Sequence, residues 1–246
     1  MLPELLTFAQ RAWLMALLVA WAGLLFGGLL SRKPQPGRAG RMPVQTRILS
    51  SAVLVVAGWS WVLFSRNTTY SGYANLIALG MTFGFLGDLF MARPLPVRQH
   101  VPAGMGAFGV GHLAYITAGL RFSAAPGLDA ALPRFAAWAA WLLLGALGWY
   151  LVAGRRPKLT PLHWAALPYA LLLASTAGVA TGLTLQAPPF LPFALGAALF
   201  LFSDFLIALR LFSQRHFSRM DDLIWLTYGP GQMLIVYSVG AILAWP

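Results

Sequence analysis

Residues 78–92, ALGMTFGFLGDLFMA, and residues 194–208, ALGAALFLFSDFLIA, decide how this chain folds. Both are dense in Leu, Phe, Ala and Gly, and neither alternates polar with apolar residues as a barrel strand would. Each carries one acidic residue, Asp88 or Asp204, well inside the run. Laid on each other at an offset of 116 residues, the two stretches agree at five of fifteen positions, Asp88 falling on Asp204 and, further on, His100 on His216. An internal repeat four spans apart predicts two parallel four-helix halves with their acids at similar depth.

Similar apolar runs recur outward from this pair at roughly 11–30, 47–65, 73–92, 103–121, 133–153, 162–182, 190–211 and 222–244. A membrane helix needs about 20 apolar residues. The 246 residues, 59% hydrophobic and 9% charged with mean hydropathy +0.72, therefore predict an all-α polytopic membrane protein of eight transmembrane helices in one integral domain, residues 1–246. A water-soluble globule is excluded. The run from Trp13 to Leu30 is longer than the core of a cleavable signal and reads as a retained first span.

The net charge of +11 comes from 17 Lys and Arg against six Asp and Glu, and the cations sit between apolar runs. That placement fits loops facing anionic lipid headgroups and argues against nucleic acid as a partner. The connections after spans 1, 3, 5 and 7 hold 13 of the cations and the opposite side holds four, Arg11, Arg66, Arg121 and Arg134. The basic excess places those four connections in the cytoplasm and both termini outside it. The Ala-, Gly- and Arg-rich composition fits a bacterial inner membrane. Trp13, Trp138, Trp141, Trp164, Trp225 and Trp245, near span ends, read as interfacial anchors. With no cysteine, thiolate chemistry and disulfides are out.

Glu4, Asp129, Asp221 and Asp222 fall in termini, loops or span edges and read as ordinary solvated carboxylates. Asp88 and Asp204 differ, because an Asp at a span centre costs about 2.5 to 3.5 kcal/mol on insertion scales and marks a functional site by default. His112 and Tyr228 each follow their Asp by 24 residues, so the repeat supplies two acid-plus-partner pairs. Tyr115 shares a helical face with His112, and Gln232 shares one with Tyr228. Ser203, Thr82 and Asn75 read as hydrogen bonders between helices. Gly84, Gly87, Gly104, Gly106, Gly109 and Gly111 predict close approach of spans 3 and 4, and Gly229-Pro230-Gly231 predicts a bend or local opening of span 8. His100, His163 and His216 lie at span edges without metal-ligand spacing, and no serine elbow, phosphate loop or dinucleotide fingerprint is present.

Three blocks of the sequence resemble the YhhN-like family, which includes the lysoplasmalogenases of animal membranes: Lys33-Pro34; Gly87-Asp88 with Ala107-Phe108 and His112 to Tyr115; and Leu195-Gly196-Ala197 through Phe200, Ser203-Asp204 and Ala208, followed by Tyr228 and Gln232. The Gly-Pro-Gly before Gln232 departs from the family pattern. The resemblance implies a cofactor-free hydrolase that cleaves the vinyl ether of lysophospholipid-type amphiphiles, giving a fatty aldehyde and a glycerophospho-alcohol. Its implied catalytic set is Asp88, Asp204, His112, Tyr115 and Tyr228, with Lys33, Arg210, Gln232 and Ser203 toward the substrate. One Asp would protonate the β-carbon and the other would take a proton from water, as two carboxyls divide labour in glycosidases. Which Asp is the acid stays open at this level. Paired carboxylates in parallel halves also fit a proton-coupled transporter of a small amphiphile, and Asp88, His112 and Asp204 also fit a metal-dependent intramembrane lipid hydrolase.

Overall fold

A computed structural model describes residues 6–31, 42–93, 95–122, 125, 127–155, 158–213 and 219–245. The described residues contain eight long α-helices and no strand: α1 (Phe8–Leu30), α2 (Val44–Phe64), α3 (Ser71–Ala92), α4 (His100–Leu120), α5 (Ala131–Trp149), α6 (Pro161–Thr184), α7 (Leu191–Ser213) and α8 (Met220–Leu243). Their bounds lie within four residues of the expected spans at each end. Counting the π-helical turn Tyr150–Gly154 with α5 and the 3-10 turn Pro188–Phe190 with α7, seven helices are long and apolar enough to cross a membrane. The other is α4. Its 21 residues include five glycines and two histidines, so its hydropathy falls short although its length does not.

Sequence neighbours pack together: α1 on α2, α2 on α3, α3 on α4, α5 on α6, α6 on α7 and α7 on α8. The chain closes on itself where α4 meets α6 and α2 meets α8. Three of the tryptophans expected as interfacial anchors tie neighbouring helices together: Trp13 donates to Ser60 across α1 and α2, and Trp138 and Trp141 donate to Ser175 and Thr181 across α5 and α6. In hydrocarbon an indole N–H has no water to bond, so a hydroxyl on the next helix is its best partner. Thr82 accepts the indole of Trp59, but Asn75 turns back to Ser71 O of its own helix.

The buried glycines set how closely the helices approach. A Cβ on Gly111 would stand 2.8 Å from Gly80 O, and one on Gly87 would stand 2.7 Å from the Phe108 ring, so both hold α3 against α4 as expected. Gly84 serves α8 instead, and Gly106 faces open space. The Gly229-Pro230-Gly231 segment does not interrupt α8, which runs continuously from Met220 to Leu243. Its glycines admit neighbours: the added Cβ of Gly231 would meet Gly196 O at 2.9 Å, and that of Gly196 would meet Gly231 O at 2.6 Å. The α7 and α8 backbones therefore touch at the residue next to Gln232 and two helical turns from Ser203.

Helix α5 is held least. Only 17% of its most apolar stretch is buried, against 67% for α8. Its π-helical end is fastened to α7 by Ser213 Oγ donating to Val152 O at 3.1 Å.

Candidate functional site

Asp88, one turn from the end of α3, is 6% exposed and accepts two hydroxyl hydrogen bonds on Oδ2, from Ser51 of α2 at 2.5 Å and from Tyr228 of α8 at 2.8 Å. Gln232, four residues beyond Tyr228 on the same face of α8, donates through Nε2 to the Tyr228 oxygen at 3.4 Å. Tyr115 of α4 donates to Gln232 Oε1 at 2.9 Å. A buried chain of polar groups thus runs from α4 through α8 to Asp88.

Glycines on α3 make room for it. A Cβ on Gly84 would lie 2.6 Å from Gln232 Nε2, and one on Gly80 would lie 2.2 Å from the Tyr115 ring. Tyr115 is 1% exposed and has nowhere to retreat. Gly80→Ala is therefore expected to destabilise the fold by about 1 to 3 kcal/mol, the usual cost of overpacking a filled core. Thermal unfolding in detergent checks this, and an unchanged midpoint would show that the ring can give way.

Asp204 sits in the middle of α7 and accepts a hydrogen bond from Tyr169 of α6 on Oδ2 at 2.5 Å. Both acids line one cleft of about 230 Å³, together with Tyr228, Ser203, Trp225 and the cations Arg47, Arg93 and Arg210. Asp204 also lines a second, larger chamber of about 420 Å³ enclosed by α3 to α7. Phe108, Trp141, Leu144, Leu173 and Phe205 make that chamber almost wholly apolar. Met91, Phe108, Asp204 and Ile207 are common to both spaces, so the polar cleft and the apolar chamber meet at Asp204. A charged cleft therefore borders a hydrocarbon-lined pocket of ligand size.

The model of the YhhN family matches residues 42–239. The chain belongs to the YhhN family. The matched segment carries every residue of the acid cluster and excludes α1. No curated protein and no solved structure matches this chain.

In this YhhN protein the expected residues are divided. Asp88, Tyr115, Tyr228 and Gln232 form one hydrogen-bonded set, and Asp204 shares their cleft. The partnering differs from that suggested by the repeat, because Tyr228 bonds the acid of the other half. His112 bonds neither acid. Its Nδ1 lies 2.8 Å from Thr176 Oγ1, its ring packs edge-on against Phe200, and its buried Nε2 has no hydrogen-bond partner among the described residues. Ser203 lines the cleft but spends its hydroxyl on Ile224 O, tying α7 to α8. Arg210 is ion-paired with Asp221, and Lys33 lies outside the described residues. Asp222, expected to be solvated, is 3% exposed in the first turn of α8, where the helix dipole favours an acid. Among the described residues no three of His, Asp and Glu gather as metal ligands, so Asp88, His112 and Asp204 do not form the cluster of the metal-dependent alternative.

Ser51, Tyr169 and Arg47 escaped sequence reasoning. Arg47 was legible only as a loop cation. Tyr169 follows Pro168 within α6, and a tyrosine hydroxyl deep in an apolar span needs a partner, which was the available signal.

Proposed function

We propose that this YhhN protein is a lysoplasmalogenase-like hydrolase, cleaving the vinyl ether of 1-alkenyl glycerophospholipids that lack a second chain. The observation that carries the reading is the meeting of two carboxyl-lined spaces at Asp204, one polar and one apolar. A single alkenyl chain fills the apolar chamber, the glycerophosphate occupies the cleft, and the vinyl ether between them lies beside Asp204.

Of the two acids only Asp204 borders both spaces, so it is the acid that faces the alkene; Asp88 borders the polar cleft but not the chamber and is the base. Asp204 gives its proton to the β-carbon and the double bond shifts to form an oxocarbenium ion. Water adds next to oxygen, losing its proton to Asp88, which the Ser51 and Tyr228 hydroxyls hold in place. The hemiacetal then collapses to aldehyde and alcohol, the leaving oxygen taking up a proton and the hydroxyl losing one. Tyr169 is a positioning residue for Asp204. Tyr169→Phe is expected to lower kcat about tenfold with KM within a factor of two, as for a lost positioning bond worth roughly 1.4 kcal/mol. An equal loss in KM alone would assign Tyr169 to binding.

We further propose that all eight helices cross the membrane. Packing pairs that recur four helices later, α1–α2 with α5–α6 and α4–α6 with α8–α2, support two parallel halves. In this reading the acid cluster lies on the cytoplasmic side of a bacterial inner membrane, with both termini outside. A cysteine introduced at position 36 is then labelled from the cytoplasm, and labelling from outside alone would invert the topology.

Fatty-aldehyde release from lysoplasmenylethanolamine by the purified protein tests the function. No release by folded protein overturns it and turns attention to uptake of amphiphiles by proteoliposomes.

A further inference from the structure

Arg47 stands in the first turn of α2, lining the polar cleft with Trp225 and Tyr228. Its guanidinium lies over the Trp225 ring, 5.6 Å from the centroid, and Trp225 in turn packs edge-on against Tyr228. A guanidinium over an aromatic face is held there by the ring's electron-rich surface while its N–H donors stay available to a ligand. Its Nε is shielded from solvent and has no hydrogen-bond partner among the described residues, an expense that a folded protein normally avoids. The charged groups near enough to act on it are Asp221, Asp222 and Arg210. Of these, Asp221 is engaged by Arg210. Among the described residues Arg47 has no ion-pair partner of its own.

We propose that Arg47 is the phosphate-binding residue of the cleft, its planar fork taking two oxygens of a lysophospholipid headgroup while Arg210 stays with Asp221. The proposal rests on reading the cleft and chamber as one lysolipid site, and it names the part of that site that reads the headgroup. Arginine suits the task because its donors are spaced to meet two oxygens of one phosphate. The same chemistry would accept free phosphate, so the test separates the two sources.

The experiment measures binding without turnover, using the non-hydrolysable 1-alkyl lysophosphatidylethanolamine and its phosphate-free counterpart 1-alkylglycerol on detergent-purified wild type, Arg47→Gln and Arg47→Lys. Arg47→Gln is expected to weaken the phospholipid about 10- to 100-fold, the scale of a lost charge-assisted bond, and to leave alkylglycerol within twofold. Arg47→Lys, which keeps the charge but not the fork, is expected to fall between. Equal weakening of both ligands, or of neither, overturns the proposal. Displacement of the phospholipid by millimolar inorganic phosphate from wild type but not from Arg47→Gln supports phosphate recognition independent of the chain; displacement equal in both overturns it. Because the alkyl ligand is never cleaved, headgroup-selective binding without aldehyde release from the alkenyl substrate would sink the hydrolase and keep the anion site.

Discussion

Asp204→Asn is expected to cut kcat for aldehyde release by about 100- to 10,000-fold, the range of a lost general acid, with little change in folding. Asparagine has the shape of aspartate and its amide oxygen still accepts the Tyr169 hydroxyl, so only the transferable proton is removed. Asp88→Asn is expected to fall by a similar factor, since its amide keeps an oxygen for Ser51 and Tyr228 but is no base toward water. The double variant should be scarcely slower than either single one, because groups that act in one step are not additive. Product formed in heavy water and trapped at once should carry deuterium beside the carbonyl, the mark of protonation at carbon. More than a tenth of wild-type activity in either single variant would remove that carboxyl from the chemistry.

Filling the apolar chamber is expected to produce the second large effect, a change in which chains are accepted. Gly148 of α5 lines the chamber, and a Cβ there would meet the Phe205 ring at 3.6 Å, an ordinary contact, so a larger residue enters without displacing backbone. Gly148→Leu should displace about four methylenes of a long alkenyl chain. At about 0.8 kcal/mol for each buried CH₂, kcat/KM for an 18-carbon substrate falls about 100-fold or more while a shorter chain keeps most of its rate. An equal loss for all lengths would place the chain elsewhere.

Much of this site was legible because charge in hydrocarbon is conspicuous. Asp88 and Asp204 stood out as the acids inside spans, and Tyr228, Gln232 and Tyr115 followed from their spacing. Helical periodicity gives depth and relative face but not the rotation of one helix toward another. For that reason His112 could be set at the level of the acids and still turn to Thr176, and Ser51 could go unnoticed although it binds Asp88. The local opening expected at Gly229-Pro230-Gly231 of α8 is absent for a related reason: the helix is continuous there, and its glycines serve as contact surface, Gly231 for α7 and Gly229 for Leu25 of α1. Likewise the low hydropathy of α4 reflects residues that serve the interior, Tyr115 and His112 among them, rather than a shorter helix.

Helix α5 is a wall of the chamber on one side and is mostly uncovered by protein on the other. In a bilayer, such a wall turns the lateral pressure of the surrounding lipids into a force on the volume available to the chain. Tighter or looser lipid packing would then change which chain lengths are taken up, and how quickly an oily aldehyde leaves, without altering a single residue near the acids.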